Sequence, residues 1–265
     1  MFSIVHQIEQ GMFLRTLGGQ DLEGPILWLH GLGESGLCFE RVVQHPSLAG
    51  WRHVIPDLPG YGRSAWPSRP IALPDLASRL AGWISSRSEQ PAVVVGHSMG
   101  GVLGLLMADR HPSCVRALLN IDGNITLDDC RYSGAAARWD LDDFVRSGFD
   151  HMRDEIYRDG LDDPAHRGYY ASLRLADPRV FHQHSRDLVA LSAAGSLARR
   201  LAAVPVPSRY MAGEPGGASP RSVEALQAAG VPRSTVTPSG HWPFIDQPEA
   251  FAHVLHGFLQ GLQAS

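Results

Sequence analysis

The segment Pro91-Ala92-Val93-Val94-Val95-Gly96-His97-Ser98-Met99-Gly100-Gly101 runs from an apolar stretch into a helical pattern through a Gly-x-Ser-x-Gly turn. A serine on so sharp a strand-to-helix turn projects its hydroxyl outward, and the glycines two positions to either side let neighbouring backbones approach. The helix that follows points its first amides and its dipole at the same place, which favours negative charge beside Ser98. This arrangement suits a nucleophile in acyl transfer. The alternative, a glycine-rich turn carrying an ordinary serine, is disfavoured by the strand before the motif and the helix after it.

Acyl transfer passes through a tetrahedral intermediate whose oxygen needs aimed donors. His30-Gly31-Leu32-Gly33 follows another apolar run, Pro25–His30. Alone it reads as a tight turn. Paired with the serine turn, it offers the Leu32 amide as one oxyanion donor, with the Met99 amide as the other. A serine hydroxyl also needs a general base. Of 13 histidines, His241 in Pro238-Ser239-Gly240-His241-Trp242-Pro243 is best placed, in a loop after the last strand-like run. His97 adjoins the serine but is expected to point elsewhere, and His30 to be structural beneath the oxyanion turn. His182, His184, His253 and His256 fall in helical patterns and read as packed or solvated.

The elements that must position these residues alternate. Continuous apolar runs at 25–30, 52–57, 91–96, 115–121, 206–213 and 233–238 suit strands buried on both faces. Helical patterns fall at about 36–49, 74–89, 99–111, 217–229 and 248–261, and patches at 3–8 and 11–17 predict an antiparallel hairpin at the sheet edge. The fold class is therefore α/β, a doubly wound, mostly parallel sheet. Residues 125–203 break the rhythm with Asp, Arg, His and aromatics at helical spacing. They are expected to form a helical cap inserted into a core made of 1–124 and 204–265.

With these residues in view, the chain resembles the α/β-hydrolase superfamily over nearly its whole length. The HGLG turn, Asp57-Leu58-Pro59-Gly60-Tyr61-Gly62-Arg63-Ser64, the GHSMGG turn and the late GHWPFIDQP segment occur in that family's order. The resemblance implies a Ser-His-acid triad and a cap between the strands at 115–121 and 206–213, and it makes DLPGYGRS a structural turn with no catalytic role for Asp57, Gly60 or Gly62. The family most often carries its acid as Gly-x-x-Asp after the penultimate strand. Here that stretch reads Gly213-Glu214-Pro215-Gly216. Two candidates remain, Glu214 and Asp122 in Asn120-Ile121-Asp122-Gly123-Asn124. Asp122 is preferred, because some members carry the acid after the earlier strand and a strand-end carboxylate there can reach the imidazole. Asp-Gly-Asn is equally strong turn chemistry.

Composition bounds the partners. The chain has 265 residues, 44% of them hydrophobic, and a formal charge of -4, which suits a large buried core and gives no basic footprint for nucleic acid. No leader-like start or membrane-length apolar run is evident. Three cysteines, Cys38, Cys114 and Cys130, make neither a disulfide framework nor a metal motif. A cytoplasmic enzyme without cofactor or metal is expected, with a small-molecule ester as substrate and a homodimer left open. Carboxylic ester hydrolysis leads; lactone, thioester or carbon–carbon bond hydrolysis would use the same groups, and a receptor-like binding module is the reading from another class. Trp139, Phe144, Phe149, Met152 and Tyr157 of the cap, with Trp242, could line an apolar pocket. Trp139 and Trp242 are the candidate substrate contacts, although packing within the cap is the plainer role for any one of these side chains.

Overall fold

A computed structural model describes residues 4–18 and 23–263. Eight strands form one sheet in the order β1-β2-β4-β3-β5-β6-β7-β8. They are β1 (Val5–Glu9), β2 (Met12–Leu17), β3 (Glu23–Leu29), β4 (Trp51–Pro56), β5 (Ala92–His97), β6 (Val115–Ile121), β7 (Ser208–Pro215) and β8 (Arg233–Ser239). The expected hairpin is present as antiparallel β1 and β2, with residue 3 outside the described residues. From β4 onward every pairing is parallel. The central strands carry Val, Leu and Ile on both faces and are buried throughout, as in Ile26–Leu29, Val93–Val95 and Ala117–Leu119.

Register sets the site. Leu29 pairs with Gly96, His97 with Ile121, and Ile121 with Met211. The carboxyl ends of β3, β5, β6 and β7 are therefore level, so the loops bearing Leu32, Ser98 and Asp122 leave the sheet along one edge, beside the end of β7 that carries Gly213. Ligands in open parallel sheets bind along such an edge.

Helix α1 (Leu73–Arg87) packs against α2 (Met99–Arg110), which lies on β5 and β6. The expected helix at 36–49 is instead three short 3-10 turns, Gly36–Phe39, Val42–Gln44 and Pro46–Leu48. Pro46 holds His45 extended (φ -64°, ψ 134°), and the adjacent β-branched Val42 and Val43 add little helix propensity.

Between β6 and β7 the regular elements are all helical. They include α3 (Arg131–Ala137), the short α4 (Leu141–Asp143), α5 (Phe149–Asp159), α6 (Pro164–Leu173), α7 (Pro178–Ala193) and α8 (Leu197–Ala203). Asp163 and Asp177 cap α6 and α7, each just before a proline whose missing N–H costs nothing at that position. Phe144, Phe149 and Phe181 pack ring against ring inside this segment. Helices α9 (Pro220–Ala228), α10 (Pro243–Asp246) and α11 (Pro248–Gln263) complete the chain. Among the described residues no helix is long and apolar enough to cross a membrane, and no group of His, Cys, Asp and Glu side chains is arranged to hold a metal ion.

Candidate active site

Ser98 stands between β5 and α2 at φ 52° and ψ -117°. A positive φ is strained for a residue with a Cβ, and such strain persists only where the surroundings enforce it. Here the Ser98 N–H donates to the Ile121 carbonyl at 2.8 Å, and the Ser98 carbonyl accepts from Gly101 and Val102 in the first turn of α2. The flanking glycines are sterically required: a Cβ on Gly96 would strike the Gly100 carbonyl, and one on Gly100 the Leu29 carbonyl.

A cavity of about 420 Å³ opens over this turn, lined by Ser98, Leu32, Asp122, His241 and Trp242 together with residues of the helical segment between β6 and β7 that include Tyr132, His166 and Tyr169. The fold thus brings to one cavity the expected nucleophile, base and favoured acid, and one expected substrate contact, Trp242. Leu32 reaches it from the turn after β3, where Gly33 takes φ +76°. The Met99 amide opens α2 and so belongs to the group of first-turn donors that no helix spends internally.

Asp122 sits just past β6 in the left-handed region, φ 44°, which Asp tolerates better than most residues. Its turn is held by Asn120, whose Oδ1 accepts the Gly123 N–H at 2.9 Å, and by Tyr210, whose hydroxyl donates to the Gly123 carbonyl at 2.9 Å. The carboxylate accepts the main-chain N–H of Gly213 on Oδ2 and that of Ala218 on Oδ1, both at 2.9 Å. Among the described residues no hydrogen bond joins it to His241; with about four acceptor sites, an ionised carboxylate has room for one. Gly217 clears its space, since a Cβ there would lie 2.5 Å from both Asp122 oxygens. Burial pushes the Asp122 carboxyl up to about 7, against the two amides and the nearby His97 ring.

Burial also drives the His241 imidazole down to about 3, with the His97 ring acting in the same direction. A neutral imidazole is the form a general base requires. Its ring lies 4.7 Å from that of His97 and 5.3 Å from that of Trp242, centroid to centroid.

Two of the candidate residues lie away from the cavity. Trp139 is not among the residues lining the cavity: it is 39% exposed, its ring packs on Gly148, and its carbonyl bonds His182 Nε2 at 2.9 Å. Glu214 is exposed and borders a separate hollow beside Tyr210, Leu226 and Arg233, because the strand alternation past Gly213 turns it away from the cavity. His30 is buried and accepts the Leu58 N–H on Nε2 at 2.9 Å, the structural role expected of it.

Other residues at the site escape sequence reasoning. Glu34, 3% exposed, accepts the Gly31 N–H, the Trp242 indole N–H and the His97 ring. Burial pushes its carboxyl up, but His97 and the two N–H donors prevail and bring it to about 2. From α6, His166 bonds Asp163 through Nδ1 at 2.6 Å and Tyr132 through Nε2 at 3.0 Å, and meets the Trp242 ring edge to face. The Asp-Pro-x-His spacing at a helix start could have signalled this pair. Nothing local signals Glu34.

A profile of the Alpha/beta hydrolase family matches residues 26–254, and the chain belongs to that family. It is 31% identical over 255 residues to a pimeloyl-[acyl-carrier protein] methyl ester esterase of Xanthomonas campestris, covering 90% of this chain and 96% of that one. Lipase LipV of Mycobacterium tuberculosis is 36% identical over 110 residues, a match spanning 41% of each chain. Among solved structures, the enol-lactonase of Burkholderia xenovorans superposes with a TM-score of 0.76 at 18% identity, covering 97% of this chain and 100% of that one. The family makes this chain a hydrolase.

Proposed function

We propose that the protein is a serine hydrolase that cleaves carboxylic esters of small or medium apolar substrates through an acyl-enzyme, with Ser98, His241 and Asp122 as its triad. The observation that carries this reading is the strained Ser98 turn at a cavity shared with a half-buried, neutral His241. His241 takes the Ser98 hydroxyl proton as Oγ bonds to the acyl carbon, and the amides of Leu32 and Met99 hold the oxyanion. The tetrahedral adduct collapses, the carbon–oxygen bond to the alcohol breaks, and the alcohol leaves with the proton from His241. Water then attacks the acyl-enzyme, giving its proton to His241, and release of the acid restores Ser98.

Asp122 stabilises the imidazolium that forms transiently and orients the ring; the main-chain amides that fix its carboxylate make it a rigid partner. Trp242 walls the cavity beside the base and supplies apolar surface to the substrate. The esterase named among the relatives supports ester chemistry. A chain-length series of p-nitrophenyl esters tests the reading: hydrolysis by the parent and loss of about a thousandfold or more in Ser98→Ala are expected, and equal rates in both proteins would overturn it.

A further inference from the structure

We propose that Glu34 and His97 are positioning residues for this reaction, a buried carboxylate–imidazolium pair that ties together the oxyanion turn, the nucleophile turn and the base loop. The kinetic consequences rest on the serine-hydrolase reading. The protonation state of His97 does not.

Hydrogen-bond chemistry fixes that state. His97 Nε2 lies 2.8 Å from the main-chain carbonyl of His241, which can only accept, so Nε2 carries a hydrogen. Nδ1 lies 3.0 Å from Oε1 of Glu34 and 3.1 Å from Oε2. The Glu34 oxygens already accept the Gly31 N–H at 2.7 Å and the Trp242 indole N–H at 2.6 Å. Those two N–H donors, with the Cys38 thiol directed at Oε2 from 3.6 Å, hold the carboxyl group as the ion, so Nδ1 carries the second hydrogen. With Glu34 3% and His97 0% exposed, water cannot replace either partner, and each depends on the other.

Each bond of this hub falls on a segment with a role in the reaction. Gly31 immediately precedes Leu32, His97 immediately precedes Ser98, and the carbonyl that His97 holds belongs to the base itself, with Trp242 the next residue along. The hub therefore sets donor, nucleophile and base relative to one another across three loops that are distant in sequence.

It also sets the charge around the base. His241 is faced by His97 from the end of β5, Glu34 from the turn after β3 and His166 from α6, while Asp122 and Asp246 line the same cavity. An imidazolium with its ring centroid 4.7 Å from that of His241 opposes a second positive charge there. It also favours ionised Asp122. Replacing it with a neutral side chain should therefore raise the proton affinity of both His241 and Asp122.

The test compares the parent with His97→Gln, Glu34→Gln and the double variant. Each single variant is expected to lose about tenfold or more in kcat with little change in KM, and the double to be no slower than the worse single, because the pair acts as a unit. In His97→Gln the acid limb of kcat/KM should move up by roughly one pH unit. Independently of turnover, long-range 1H–15N spectra of the parent at pH 7 should show both His97 ring nitrogens protonated. A singly protonated His97 in the parent would overturn the proposal. So would a folded His97→Gln with an unmoved acid limb, even if its Tm fell, because packing alone would then explain the residue. Absence of esterase activity in the parent would strike the serine-hydrolase reading instead, with the spectra still deciding the state of His97.

Discussion

Asp122, one residue past β6, accepts the main-chain N–H of Gly213 at 2.9 Å across the gap between β6 and β7. In the proposed triad, β7 supplies an amide and the carboxylate comes from the end of the neighbouring strand β6.

Removing that carboxylate's charge should leave the fold and destroy most of the activity. Asp122→Asn is expected to lower kcat for p-nitrophenyl acetate by about a thousandfold or more, since the imidazolium loses its counter-charge and the ring its preferred tautomer. Glu214→Gln, at an exposed position outside the cavity, should match the parent. Full activity in the first with loss in the second would move the acid to Glu214.

The space around Asp122 should matter as much as its charge. A Cβ on Gly217 would sit 2.5 Å from both carboxylate oxygens. Gly217→Ala is therefore expected to displace Asp122 and reduce kcat by about a hundredfold, the usual scale for a misplacement near 1 Å, with a modest change in Tm. Unchanged kinetics would show that Asp122 does not need its present position.

The pH profile follows from burial. The base must be unprotonated and its partner ionised, so a proton on the Asp122–His241 unit inactivates it. Asp122 is pushed up to about 7 and His241 down to about 3. The unit should therefore take up its proton near the upper value, as a property of the pair. Activity is expected on a plateau above about pH 7, falling about tenfold per unit below it. An acid limb near 4 would show that ionised Asp122 is not required.

Stability should carry a signature of Glu34 and His97. The folded Glu34 carboxyl, brought to about 2 from 4.5, contributes stability that is present above pH 4.5 and lost as pH falls through about 2. His97 is raised above 6.5: burial lowers it and Glu34 more than reverses this, so its contribution is present below 6.5 and lost as pH rises through its folded value. The stability deficit of Glu34→Gln should therefore be greatest between pH 4.5 and 6.5, amounting to about 3 kcal/mol for a broken buried pair, and shrink on both sides. A deficit independent of pH in thermal melts would argue against the ion pair.

Much of this architecture is legible in the sequence because its causes are local. Val93–Val95 and Leu118–Leu119 are apolar on both faces, which only a covered parallel strand satisfies, and Gly96 and Gly100 mark a turn that few other residues could make. Glu34 was not legible: a charged residue after a tight turn ordinarily faces water, and its burial depends on Gly31, His97 and Trp242 converging from three distant segments. The direction of the Trp139 ring was equally hidden, since helical spacing of aromatics is the same whether a face meets the cavity or another helix. The 3-10 turns at 36–48 replaced a helix because Pro46 constrains the residue before it.

The central claim is that Ser98 is an activated nucleophile, and a fluorophosphonate probe tests it most directly. Intact-mass and peptide mass spectrometry of the folded parent should find one phosphonyl adduct, on the peptide containing Ser98, and none in Ser98→Ala. A folded parent that stays unlabelled, or an adduct that persists in Ser98→Ala, would contradict the account.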